Sequence, residues 1–191
     1  EFRRVLFRSL PYQRGGVKAL EERHSALLAD PMGLGKTIQI CGLLNKIPDE
    51  LRTVLIVVPA SLKLNWRNEL NKWLVVPRRI DVINGGKELM PADPDIVIIN
   101  YDVLSKHSER LNSREWDCVI FDESHYLKNP KAARTKQAVR IPARRRYALT
   151  GTPVPNRPIE LQPILEYLDP DDFGGKNAWI KFASHYCDGH H

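Results

Sequence analysis

Asp30-Pro31-Met32-Gly33-Leu34-Gly35-Lys36-Thr37 follows the short apolar run Leu27-Leu28-Ala29, and Ile38, Ile40, Cys41 and Leu44 continue behind it at helical spacing. A glycine-rich loop between a strand and a helix turns successive backbone N–H groups inward, and the helix N-terminus adds partial positive charge at the same place. The chemistry this suits is binding of a polyphosphate. Gly33 and Gly35 allow close backbone approach, Lys36 supplies a point charge for the terminal phosphates, and the Thr37 hydroxyl is a ligand for Mg²⁺. Met32 and Leu34 complete the loop. The strict phosphate-loop pattern carries glycine where this chain has Asp30. A glycine turn that holds nothing is the plainer alternative, and the Gly-Lys-Thr run between a strand and a helix speaks against it.

A cation held among phosphates also needs a carboxylate, and Asp122-Glu123-Ser124-His125 supplies one directly after the apolar run Cys118-Val119-Ile120-Phe121. In an open α/β sheet the ligand crevice lies outside the carboxyl ends of the strands, which is where Asp122 falls. Asp122 is expected to meet the Mg²⁺ held by Thr37, and Glu123 to orient or deprotonate an attacking water. An Asp-Glu pair that caps a helix is the alternative, and alone it would be preferred. Pairing with the phosphate loop favours the chemical role.

These groups must be positioned by a sheet. Short β-branched runs alternate with amphipathic stretches of helical length, without internal repeats, which is the signature of βαβ units around a mainly parallel sheet. Strands are expected at 26–29, 53–58, 79–83, 95–100, 118–121 and 147–150. The runs at 54–58 and 96–99 are continuously apolar, as strands covered on both faces require. Between them, Ser61 is the expected N-cap of a helix reaching about residue 74. Leu62, Trp66, Leu70 and Trp73 form its apolar face, so the two tryptophans read as core rather than as stacking platforms for bases.

At 191 residues, with 42% hydrophobic and 27% charged residues, the chain is sized and composed for one folded domain. The net charge of +6 is compatible with a phosphate-bearing partner and does not demand one. Cys41, Cys118 and Cys187 are too dispersed for a zinc motif or a disulfide framework, which fits a reducing, intracellular setting. No run of about 18 apolar residues is present to span a bilayer. Residues 1–9, EFRRVLFRS, read as a non-native leader, so the domain is taken as 10–191, and the ending at 187–191 reads as a truncated frame.

Taken together, Asp30 to Gln39, then Asp122-Glu123-Ser124-His125, then Leu149-Thr150-Gly151-Thr152-Pro153, resemble motifs I, II and III of the Swi/Snf-type ATPases of helicase superfamily two. Order and spacing both agree, and Asp30 becomes the expected residue, although Pro31 stands where that family usually has Glu. The resemblance runs from Leu10 to Asp188. It implies a three-layer α/β RecA-like lobe with a mainly parallel sheet, using ATP and Mg²⁺. Leu10-Pro11-Tyr12-Gln13 resembles the adenine-recognition motif, implying that Gln13 contacts the adenine edge. His125, with Thr150 and Thr152, would couple the ATP site to motif III.

Val57-Val58-Pro59-Ala60-Ser61-Leu62 with Trp66 resembles motif Ia, and Ile99-Asn100-Tyr101 resembles motif Ib. Both imply contacts to a DNA backbone, for which Ser61, Lys63, Asn100 and Tyr101 offer donors but no base-reading pair. The run Asn156-Arg157-Pro158-x-Glu160-Leu161 continues the family pattern, and Tyr186-Cys187-Asp188 is similar to the annealing-helicase branch, which remodels forked DNA. The implied function is the ATP-binding lobe of a DNA-dependent ATPase that translocates on or remodels duplex DNA, in the nucleus or, in a prokaryote, the cytoplasm or nucleoid. A second RecA-like lobe carrying arginine fingers would complete it, so the chain alone is expected to turn over little. The alternatives are a DEAH-type RNA helicase lobe and a nucleotide- and DNA-binding module without turnover.

Other charged groups carry less. Arg144-Arg145-Arg146 reads as a solvated strand entrance in preference to a phosphate contact, and Lys128, Lys131, Arg134 and Lys136 as the polar face of a helix. His24, His107, His185, His190 and His191 have no partners at metal spacing.

Overall fold

The structure, a computed structural model, describes residues 10–153 and 157–187. The leader at 1–9, Asn156, Asp188, His190 and His191 lie outside the described residues. Six strands form one sheet: β1 Ser25–Leu28, β2 Val54–Val58, β3 Ile80–Val82, β4 Ile96–Asn100, β5 Trp116–Phe121 and β6 Ala143–Leu149. Their order across the sheet is β1-β6-β5-β2-β4-β3, and every neighbouring pair is parallel. β2 and β4 are buried at all five residues, the condition their unbroken apolar runs predict.

Successive side chains of a strand point to opposite faces, so each face acquires its own core. Val54, Ile56, Val58, Ile98 and Ile120 pack on one side, against the helices α1 Pro11–Glu21, α2 Lys36–Lys46 and α3 Lys63–Trp73. Leu55, Val57, Ile99, Val119 and Phe121 pack on the other, against the 3₁₀ segment Tyr101–His107 and the helices α4 Ser108–Asn112, α5 Ala133–Ala138 and α6 Gln162–Leu168. Two short helices, α7 Pro170–Phe173 and α8 Ala178–Tyr186, follow. This is the expected three-layer α/β arrangement.

Register decides what meets at the carboxyl edge. Leu28 stands beside Leu149, and Ala148 beside Phe121. β6 therefore lies between the strand that feeds the phosphate loop and the strand that ends at Asp122. The loops following β1, β6 and β5 must emerge side by side.

Four local expectations are corrected. Ser61 is not a helix cap: Ala60–Leu62 is a 3₁₀ turn, and α3 begins at Lys63 without a side-chain cap bond. β6 starts at Ala143, four residues before the expected 147, because its charged first half is still paired with β5. Within it Arg145 is buried, donating to the Glu21 carbonyl at 3.0 Å and to Glu50 at 2.8 Å, while exposed Arg144 pairs with Glu115 at 3.0 Å. Both arginines sit at the amino ends of the strands, opposite the crevice, so neither the solvated entrance nor the phosphate contact describes Arg145. The segment after the acidic motif is likewise broken into the 3₁₀ turn Ser124–Leu127 and α5, which leaves Lys128 and Lys131 in the connection and Arg134 and Lys136 on the helix.

Candidate nucleotide site

The phosphate loop leaves β1 and enters α2 at Lys36. Gly35 adopts φ 76° at the helix N-cap, in the left-handed region that favours glycine, and a Cβ there would lie 2.5 Å from Gln13 Nε2. The positive φ favours glycine, and a Cβ would also displace the Gln13 amide from the loop. Gln13 itself is buried; its Nε2 donates to the Leu34 carbonyl at 3.2 Å and its Oε1 accepts from the Leu10 N–H at 2.9 Å. Tyr12 donates to the same carbonyl at 3.1 Å. The loop is thus held from outside by α1.

From inside it is held by its own charge. Lys36 Nζ donates to the carbonyls of Asp30 at 2.8 Å and Pro31 at 3.4 Å. The Asp30 carboxylate in turn accepts from Gln39 Nε2 at 2.7 Å, tying the entrance of the loop to α2. Asp30 therefore has a structural task of its own at the position where the strict pattern has glycine.

Asp122 follows β5 across the cleft. Its Oδ2 accepts from the Trp66 indole N–H at 2.7 Å, and its Oδ1 from the Glu123 backbone N–H at 2.9 Å. Burial, the largest influence, raises its carboxyl above the usual range, as does neighbouring Glu123, while the Trp66 bond and the Lys36 charge pull it down. Glu123 sits at φ 49°, ψ 49°, the left-handed region, where a non-glycine residue stores strain of about 1–3 kcal/mol. That backbone turns the Glu123 carboxylate toward His125, whose Nδ1 lies 3.3 Å from Glu123 Oε2 and 3.5 Å from Thr150 Oγ1. Thr150 Oγ1 also accepts from the Thr152 N–H at 3.1 Å. Glu123, His125, Thr150 and Thr152 thus form one continuous string.

The 150–152 loop touches the phosphate loop as well. A Cβ on Gly151 would lie 2.9 Å from Met32 Cγ, 3.3 Å from Met32 N and 3.8 Å from Lys36 Nζ, so glycine is what allows the two loops to lean together. The phosphate loop and the two carboxylates face a cleft of about 260 Å³ lined by Met32, Gly33, Gly35, Lys36 and Thr37 from the loop and the start of α2. Asn65, Trp66 and Glu69 of α3, with Asp122 and Glu123, line its other side. The donors that Thr37 and Asp122 bring to it are oxygens, the set a hard divalent cation such as Mg²⁺ takes, and the bonds from Trp66 and Glu123 supply outer support. A larger hollow of about 530 Å³ between the 171–174 segment and α8 gathers no comparable set.

The groups expected to face DNA are placed differently. Ser61 is exposed on its turn. Lys63 is buried and donates to the Ile83 carbonyl at 3.1 Å and to Asn100 Oδ1 at 3.2 Å. Tyr101 is buried and donates to the Asp122 carbonyl at 2.6 Å. The Lys63 ammonium, the Tyr101 hydroxyl and Asn100, whose Nδ2 lies 3.4 Å from Asp102 Oδ2, all find partners within the protein, so this arrangement does not display the outward donors expected of them. Asn65, Trp66 and Glu69 line the cleft without having been expected there, and Gln39 supports it from behind through Asp30. Trp66 does belong to the core as read, but no pattern of spacing announces where an indole N–H will point.

Residues 12–188 match the family model described as SNF2-related domain. The DNA annealing helicase and endonuclease ZRANB3 of Mus musculus is 38% identical over 194 residues, covering 95% of this chain and 18% of that protein. The SWI/SNF-related matrix-associated actin-dependent regulator of chromatin subfamily A-like protein 1 of Bos taurus is 38% identical over 183 residues, covering 93% of this chain and 19% of that protein. The solved SWI2/SNF2 ATPase core of Sulfolobus solfataricus in complex with dsDNA aligns with a TM-score of 0.84 at 30% identity, covering 94% of this chain and 39% of that one. This chain spans less than a fifth of the length of the two mammalian relatives. The match is continuous across the phosphate loop, the acidic strand end and the 150–152 loop, and on it the chain belongs to the SNF2-related domain family.

Proposed function

We propose that this chain is the ATP-binding lobe of a DNA-dependent ATPase that tracks along or remodels duplex DNA. The observation that carries the reading is the convergence, on three adjacent strand ends, of the glycine-rich loop with Lys36 and Thr37, the Asp122 and Glu123 carboxylates, and the 150–152 loop joined to Glu123 through His125. The loop N–H groups would hold the phosphates of ATP, and Lys36 would exchange the Asp30 carbonyl for a phosphate oxygen. Thr37 and Asp122 would hold Mg²⁺, whose contribution is to neutralise charge between the terminal phosphates. Glu123 accepts a proton from the attacking water, His125 passes a change at Glu123 on to Thr150 and Thr152, and Gln13 borders the adenine.

The relatives support duplex or forked DNA as the partner, and with it a nuclear or nucleoid setting; they do not favour the RNA helicase reading. Among the described residues no helix is long and apolar enough to cross a membrane. A second RecA-like lobe outside this chain would supply an arginine finger, a group worth about 10³–10⁵ in rate. For the 191 residues alone, binding of Mg·nucleotide with little hydrolysis is therefore the expected behaviour.

Duplex DNA would be met by the exposed 60–62 turn with Ser61, at the same sheet edge as the ATP cleft. Ser61 is uncharged and Lys63 is turned inward, so only exposed Lys and Arg side chains elsewhere could neutralise phosphates; few would be, affinity is weak, and each one steepens the fall of log affinity with log salt by about 0.9. Measuring affinity for duplex DNA and for RNA across a salt series tests this. The expected result is a small, nonzero slope with duplex DNA preferred and little dependence on base sequence. A zero slope, tighter binding to RNA, or strong preference for one sequence would remove the proposal.

A further inference from the structure

The geometry points to Trp66 as a positioning residue that aims the Asp122 carboxylate at the cation of the proposed nucleotide site, an inference that rests on the nucleotide reading above. The main chain of Asp122 is already pinned. Its N–H donates to the Val57 carbonyl at 2.9 Å, and its own carbonyl accepts the Tyr101 hydroxyl at 2.6 Å. What remains free is rotation of the side chain. The Glu123 N–H can satisfy whichever oxygen is nearer, so that bond alone does not fix the carboxylate. The indole does, because it sits at 2.7 Å from one oxygen and is held in the core with Leu70 on the same helix.

Each carboxylate oxygen accepts in about two directions. With one direction of Oδ2 taken by Trp66 and one of Oδ1 by Glu123, one on each oxygen stays available to the cleft, where Thr37 stands opposite. Trp66 also belongs to α3, which begins directly after the exposed 60–62 turn. A shift of that helix against β5 moves the hydrogen bond, and with it the carboxylate. Tyr101 makes the corresponding link from the segment after β4 to the Asp122 backbone. The plainer account is that Asp122 merely satisfies a buried indole N–H, which needs some acceptor.

Site-specific replacement of Trp66 by benzothienylalanine separates the two accounts, because sulfur replaces the N–H while the ring keeps its shape. Trp66→Phe is the second variant, and the isosteric replacement carries the test where Phe disturbs folding. Binding of a fluorescent ADP analogue is measured in EDTA and across a Mg²⁺ titration. The expected result is affinity in EDTA within about twofold of the unmodified chain, with the Mg²⁺ concentration for half-maximal tightening raised about tenfold, the usual cost of losing an outer-shell partner. Unchanged Mg²⁺ dependence, or equal loss of affinity in EDTA and in Mg²⁺, overturns the inference and leaves the nucleotide reading standing. An unmodified chain whose nucleotide affinity ignores Mg²⁺ overturns the nucleotide reading and this inference with it.

Discussion

Lys36→Ala abolishes nucleotide binding by this chain at concentrations where the unmodified chain is saturated. Lys36 is the cation that lines the cleft from the phosphate-loop side, and it is already buried, with its Nζ bonded to the loop carbonyls of Asp30 and Pro31. Exchanging those carbonyls for phosphate oxygens requires little additional desolvation, so most of the attraction is realised on binding. Removing one member of such a desolvated charge pair costs about 2–5 kcal/mol, roughly 30- to 5,000-fold in affinity. Titration of a fluorescent ADP analogue measures it. Retained affinity in the alanine variant would mean that the phosphates are held elsewhere.

Glu123→Gln has the opposite signature. The amide is nearly isosteric, and it can keep the contact with His125, so nucleotide affinity stays within about threefold if Glu123 acts on water rather than on phosphate. Hydrolysis, measured in a protein that also contains the second lobe, falls by about 10²–10⁴, the range that a general base contributes. The contrast between the two variants is the discriminating result. Equal loss of binding in both would show that the two carboxylates and the lysine do not divide the work as assigned.

Legibility from sequence followed the physics of each signal. β2 and β4 announce themselves because a strand buried on both faces must be apolar throughout, and both are. The phosphate loop is legible because a positive φ beside Gln13 favours glycine at residue 35, directly before Lys36 and Thr37. The first half of β6 is hidden because its arginines look like solvent-facing residues, yet Arg145 finds Glu50 and backbone carbonyls at the sheet's amino edge. Ser61 has a capping side chain, but the chain makes a 3₁₀ turn there before α3 begins, and composition does not register that.

Direction is the harder quantity. Lys63, Asn100 and Tyr101 are donors by residue type, but they turn inward, where they brace the segments after β2, β3, β4 and β5 against one another. The indole of Trp66 is the same case. Residue type states what a group can donate; the crossing of α3 over the sheet states to whom.

The central claim is that the loop after β1 and the carboxylates after β5 form one Mg·ATP site at the carboxyl edge of the sheet. A crystal structure of this chain with Mg²⁺ and a non-hydrolysable ATP analogue tests it most directly. The expected result is phosphate oxygens within hydrogen-bonding distance of the backbone N–H groups of residues 33–37 and of Lys36 Nζ, with Mg²⁺ held by Thr37 Oγ1 and, directly or through water, by Asp122. An analogue bound away from the 33–37 loop, or a cation held without Thr37 and Asp122, would contradict the account.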